Sequence, residues 1–105
     1  MGALYYGTDS EPIEISDRLL AHIKVVVISK LRRSERFTLS WASPSGSGGG
    51  RATLWLDPSI PLRFVFDSAE ALDPVLLHEL AHQASSVRGL VIELDPVKHS
   101  SLADV

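Results

Sequence analysis

Cysteine is absent from this 105-residue chain, which excludes disulfides and thiolate metal sites. Long apolar runs are absent too. The longest, Val25 to Ile28, lies between Lys24 and Lys30, far short of the ~20 residues that cross a bilayer. The start, Met1-Gly2-Ala3-Leu4-Tyr5-Tyr6, lacks the basic region and apolar stretch of a secretory signal. These absences point to a cytoplasmic protein that does not engage a membrane. Aromatic residues are only 7% of the chain, so each tryptophan marks a place where something has to be packed or bound. A chain of this length buries roughly two-thirds of its unfolded surface, enough for one core without covalent staples.

The net charge of −3 conceals a segregation. Between Arg18 and Arg63 there are eight basic residues against two acidic ones, Glu35 and Asp57; the remainder holds two basic and eleven acidic residues. Such a division can form a basic patch on an acidic protein, although segments that fold back on one another can also cancel it.

Hydrophobic periodicity divides the chain into eight elements. Residues 3–7 and 12–16 read as short strands joined by the polar turn Thr8-Asp9-Ser10-Glu11. Ser16 or Asp17 caps a helix to about Arg33, with Leu19, Leu20, Ile23, Val26, Val27 and Leu31 as its buried stripe. The β-prone run Val25-Val26-Val27-Ile28 lies inside it, but the length and the stripe favour helix. Lys30, Arg32 and Arg33 suit the negative end of its dipole.

Three alternating segments follow: Phe37 to Ala42, Arg51 to Leu56 and Leu62 to Phe66. A Gly/Ser-rich loop, Pro44 to Gly50, separates the first two, and Asp57-Pro58-Ser59-Ile60-Pro61 separates the last two. Pairing Ala42 with Arg51, and Leu56 with Leu62, aligns all three. One face then carries Phe37, Leu39, Trp41, Ala52, Leu54, Leu56, Leu62, Phe64 and Phe66 for the helices to cover. The other carries Thr38, Ser40, Arg51, Thr53, Trp55, Arg63 and Val65, with Trp55 opposite Arg63 and free to stack on it.

A second helix starts at Asp73, with Pro74 at its first position, and stops near Gly89. Its stripe is Leu76, Leu80, Ala84 and Val87, widened by Leu77 and Ala81. A strand from Gly89 to Leu94 completes the order β-β-α-β-β-β-α-β. The expected fold is α+β, a largely antiparallel sheet with two helices on one face. It forms a single domain over 1–95, followed by a polar, frayed tail over 96–105.

The second helix contains His78-Glu79-Leu80-Ala81-His82, a match to the zinc-hydrolase pattern H-E-x-x-H. On a helix, positions i and i+4 share a face, so two imidazoles can hold one zinc while the glutamate deprotonates bound water. At about 100° per residue, however, His78 and His82 point opposite the apolar stripe, toward solvent. The extended pattern continues H-x-x-G-x-x-H, but its glycine position holds Ser85 and its third-histidine position holds Arg88, leaving Glu93, Asp95 and His99 as candidates. The favoured reading is therefore no cofactor and no metal, with the match fortuitous. A minimal zinc hydrolase, with His78 and His82 as ligands and Glu79 as base, is the alternative. His22, between the stripe of the first helix and its flank, reads as a structural histidine. Glu14, Asp17 and Arg18 read as capping and surface ion-pair residues.

Several pieces, in order, carry a resemblance: Leu4-Tyr5-Tyr6-Gly7, Ile13-Glu14-Ile15, Asp17-Arg18-Leu19-Leu20-Ala21-His22, Lys24-Val25-Val26, Lys30-Leu31-Arg32-Arg33, Phe37-Thr38-Leu39-Ser40-Trp41, Thr53-Leu54-Trp55-Leu56 and Pro58-Ser59-Ile60-Pro61-Leu62-Arg63-Phe64. Through Phe66 the chain resembles a short actinobacterial family of unknown function, many of whose members bear the label "ATP-dependent DNA ligase". Members of that family have a Glu-Glu-Leu-type run where this chain has His78-Glu79-Leu80, which speaks further against zinc. The residues do not support ligation. Lys24, Lys30 and Lys98 all fail the Lys-x-Asp-Gly pattern of the ligase nucleophile, and Gly46 to Gly50 lacks the G-K-[ST] of a phosphate loop. The expected function is non-catalytic: an interaction or nucleic-acid-associated accessory domain. Its open sheet face would use Trp55 for stacking and Arg51 and Arg63 for charge, with Arg32, Arg33 and Arg36 alongside. The partner is nucleic acid or protein; the alternative is a homo-oligomer that buries the same face.

Overall fold

The computed structural model describes residues 1–42 and 51–94. The elements are β1 (Gly2–Tyr6), β2 (Ile13–Ile15), α1 (Asp17–Arg32), β3 (Phe37–Ala42), β4 (Arg51–Leu56), β5 (Leu62–Val65), α2 (Pro74–Ala84) and β6 (Leu90–Glu93). The order and the α+β class are those the periodicity predicts. The loop between β3 and β4, and the tail, lie outside the described residues.

The strands form two three-stranded sheets, β2-β1-β5 and β4-β3-β6, rather than one. The β3–β4 hairpin has the predicted register, Ala42 opposite Arg51. The predicted pairing of Leu56 with Leu62 is not made: Leu62 lies opposite Tyr6, Leu56 opposite Phe37. The turn between β4 and β5 gives a physical reason. It holds two prolines and is folded on itself, with the Asp57 carboxylate accepting from the Ser59 N–H at 2.9 Å and the Asp57 carbonyl accepting from Ile60 N–H. It delivers β5 to the edge of β1, where the Pro61 carbonyl accepts the Gly7 N–H. The first sheet is antiparallel throughout; the second closes with β6 parallel to β3.

One core joins both sheets. It runs through Leu4, Ile15, Leu20, Ile23, Val26, Val27, Phe37, Leu39, Leu56, Leu80, Leu90 and Ile92. Helix α1 lies on β1, α2 lies on β3 and β6, and the helices pack on each other. The alternation of inner and outer residues within each strand is as predicted, because the side-chain period of a strand does not depend on which strand it pairs with.

Helix α1 starts at Ser16, whose hydroxyl accepts the Leu19 N–H at 3.2 Å. It ends in a Schellman closure. Ser34 N–H donates to the Leu31 carbonyl and Glu35 N–H to the Lys30 carbonyl, with Ser34 at φ 61. Helix α2 has Asp73 as N-cap, accepting from Val75 N–H at 3.0 Å, and Pro74 behind it. It stops at Ala84, earlier than its apolar stripe predicts. Val87 therefore sits in the following turn, fully exposed, and Ala81 is exposed as well.

Asp17 is not a surface ion-pair residue as expected. It is buried, and its carboxylate accepts from the Asp67 N–H at 3.3 Å and from the Ser68 N–H and hydroxyl at 3.1 Å. Arg18 pairs instead with Asp73 at 3.1 Å. Among the described residues, no helix is long and apolar enough to cross a membrane.

Candidate interaction surface

Strand β4 ends in Leu54-Trp55-Leu56, and the strand period puts Leu56 in the core and Trp55 outside. Trp55 is 52% exposed although it sits in a well-fastened frame. Its Cα partner on β3 is Thr38, and its carbonyl accepts the hydroxyl of Tyr6 at 2.6 Å, a tie from the first sheet to the second. Two neighbouring outer residues are joined as well, Ser40 and Thr53, whose hydroxyls are 2.9 Å apart.

Trp55 lines a groove of about 600 Å³. Phe37 and Thr38 of β3 line it too, and the turn after α2 supplies Ser86, Val87 and Gly89. Gly89 is what lets that turn approach. Its φ of 74 suits glycine, and a Cβ there would collide with the hydroxyl and the carbonyl of Thr38.

The polar side of the groove is internally neutralised. Lys30 is buried, with its ammonium 2.9 Å from Glu35, 3.4 Å from the Ser85 hydroxyl and 5.5 Å from the centre of the Phe37 ring. Hydrogen bonds from Arg33 and then Lys30 outweigh partial burial and hold the Glu35 carboxyl down at about 2. Arg36 lies 2.6 Å from Asp57. The Asp57 carboxyl is lowered by the Ser59 N–H first, then by the Ser59 hydroxyl and Arg36.

The predicted basic set is not gathered on one face. Arg36 lines the groove beside Trp55, and Arg33 reaches its edge through Glu35. Arg63 does not stack on Trp55. It belongs to the other sheet, opposite Tyr5, with its guanidinium 4.1 Å from the centre of the Tyr5 ring. The misplacement follows directly from the β4–β5 pairing that is not made. Arg51 is exposed at the start of β4, and Arg32 is exposed on α1. His78, Glu79 and His82 are all exposed on α2, and among the described residues no group of three or more His, Asp and Glu comes together to hold a metal. Asp95 and His99 lie outside the described residues.

Sequence reasoning missed Tyr6, Val87 and the Lys30–Glu35 pair. The spacing of Val87 fits the buried stripe of a helix that in fact ends three residues earlier. The only local sign was Ser85-Ser86, a pair more at home in a cap than in a helix interior.

No curated protein and no solved structure matches the chain. The family model described as "Domain of unknown function (DUF7882)" matches residues 1–95. On that match, the chain belongs to the DUF7882 family.

Proposed function

We propose that this domain is a non-catalytic interaction module and that the groove beside Trp55 receives a segment of a partner protein. The observation that carries the reading is the half-exposed Trp55 on an edge strand held by β3 and by the Tyr6 hydroxyl, lining the same depression as the exposed Val87. A rigid aromatic at the edge of a groove loses little conformational entropy on binding, which is the usual character of an interface anchor.

The neutralised walls favour a peptide over a polyanion. Phosphate recognition draws on cations that can exchange counterions for phosphates, whereas Lys30, Arg33 and Arg36 already face carboxylates. Single-stranded nucleic acid is the second reading. It rests on the resemblance to DNA-ligase-labelled proteins, on the stacking capacity of Trp55 and on Arg51, exposed on the same strand.

The test is selection of peptides from a displayed library on the immobilised domain, with Trp55→Ala as the matched control. Peptides that bind the wild type at least about tenfold better than the variant support the reading. Equal recovery on both proteins sinks it. Titration with oligonucleotides at low salt, read by tryptophan fluorescence, decides between the two partners.

A further inference from the structure

Helix α1 has an outward stripe of unusual chemistry. Val25 and Ile28 are 39% and 38% exposed, although β-branched apolar residues lower helix propensity and gain nothing from facing water. Apolar side chains continue on either side, mixed with Lys24, Asp67, Ser68 and Glu70 on one side and with Arg32 on the other. One flanking hollow, of about 550 Å³, is walled by Phe66 and the half-exposed Leu72. Another, of about 330 Å³, is walled by Ile60, Leu62 and Phe64. Both hollows reach the stripe, the first at Val25 and the second at Ile28.

Charges of both signs border the stripe: Lys24 lies next to Val25 with its ammonium 5.8 Å from the centre of the Phe66 ring, and Arg33 is paired with Glu35, which leaves Glu70 and Arg32 as the unpaired charges toward its two ends. Glu70 lines the same hollow as Ala21, and its carboxylate is 3.1 Å from the Ser68 hydroxyl and makes no ion pair among the described residues. At the other end, Arg32 is exposed and has no carboxylate partner among the described residues. From Ala21 to Arg32 is about 16 Å along the helix at 1.5 Å per residue, with Val25 and Ile28 in the middle.

We infer that this face pairs with a second copy of itself, with α1 antiparallel to α1 across a two-fold axis between Val25 and Ile28. Any two-fold requires that what residue i offers, residue j receives, in both directions. An apolar centre with Glu70 toward one end and Arg32 toward the other, the Lys24 ammonium being held over the Phe66 ring, meets that condition. Val25 faces Ile28 of the second copy, and Arg32 faces Glu70 of the second copy, twice. The inference is independent of the Trp55 groove, because no residue of that groove lies on this stripe.

Sedimentation equilibrium of the full chain up to near-millimolar concentration tests it. The wild type is expected to dimerise, more weakly as salt rises. Ile28→Glu should be monomeric with its melting intact, since the side chain is outside the core. Arg32→Glu and Glu70→Arg should each weaken association about tenfold, and the double reversal should restore it. A wild type that is monomeric throughout overturns the proposal. So does an Ile28→Glu protein that still dimerises, a double reversal that does not recover, or a dimer abolished by Trp55→Glu instead.

Discussion

His22 Nε2 accepts the backbone N–H of Asp73 at 2.8 Å. Its Nδ1 lies 2.6 Å from the Arg18 carbonyl, so the ring is held as the neutral Nδ1–H tautomer, donating at one end and accepting at the other. The ring is fully buried and ties α1 to the residue that caps α2. Replacing it separates two effects. His22→Leu keeps most of the volume and orphans the Asp73 N–H, a cost of about 1–3 kcal/mol. His22→Ala adds a cavity and should cost about 3–5 kcal/mol in all. Urea unfolding of both variants checks the order; a leucine variant as stable as the wild type would show that the bond to α2 contributes nothing.

Acid should unfold this protein through specific carboxylates. Burial tends to raise the Asp17 carboxyl, but the Asp67 N–H and then the Ser68 hydroxyl, the terminal ammonium and the Ser68 N–H hold it below its ordinary 3.8. The Glu35 carboxyl falls from 4.5 to about 2. Groups with lowered values bind fewer protons when folded than when unfolded. Their stabilisation is thus complete above the ordinary values and is lost as pH falls through the folded ones. Melting temperature should be flat above pH 4.5 and decline from there toward about pH 2. Glu35→Gln should start lower at neutral pH and decline less over that window. Parallel curves for the two proteins would remove Glu35 from the acid transition.

Backbone conformation offers a test at three turns, with one substitution opposite in sign to the other two. Gly89→Ala would force a side chain against Thr38 at φ 74, whereas Gly7, at φ 62, has open space around it. Gly7→Ala should cost about 1 kcal/mol from conformation alone, and Gly89→Ala clearly more. Ser34 is a non-glycine residue at φ 61 in the closure of α1, so Ser34→Gly should stabilise the fold by about 0.5–1 kcal/mol. Thermal denaturation of the three variants should rank them Ser34→Gly, Gly7→Ala, Gly89→Ala from most to least stable.

What could be read from the sequence follows the range of each signal. Periodicity and caps are local, so all eight elements, the Ser16 and Asp73 caps and the β3–β4 register were legible. Pairing between strands distant in sequence is not local. The turn after Leu56 permits a hairpin as readily as an exit to β1, and that choice displaced Arg63 from Trp55 to Tyr5. The turn at Ser34 was hidden because serine rarely takes that conformation, and the end of α2 because Val87 fits the stripe. Trp55 was legible as an outer residue, whereas its groove, made by the turn before β6, was not.

The two tryptophans separate core from surface in a single comparison. Trp41 points inward from β3, packed against the core cluster, with Ala52 as its cross-strand neighbour. Trp55 points outward from β4. A carboxylate in place of Trp41 would be pressed against apolar side chains without a partner, at a cost of several kcal/mol on the scale of a domain only about 5–15 kcal/mol stable. Trp41→Glu should therefore be unfolded or nearly so at room temperature. In place of Trp55 the same carboxylate remains hydrated, and the change in stability should stay within about 0.5 kcal/mol. Circular dichroism and urea unfolding of both proteins read the difference. If Trp55→Glu unfolds the chain, the indole is a structural support rather than a contact surface, and the groove loses its anchor. If it folds normally, the selection of a large aromatic at an outward position has to be explained by what it meets outside the domain.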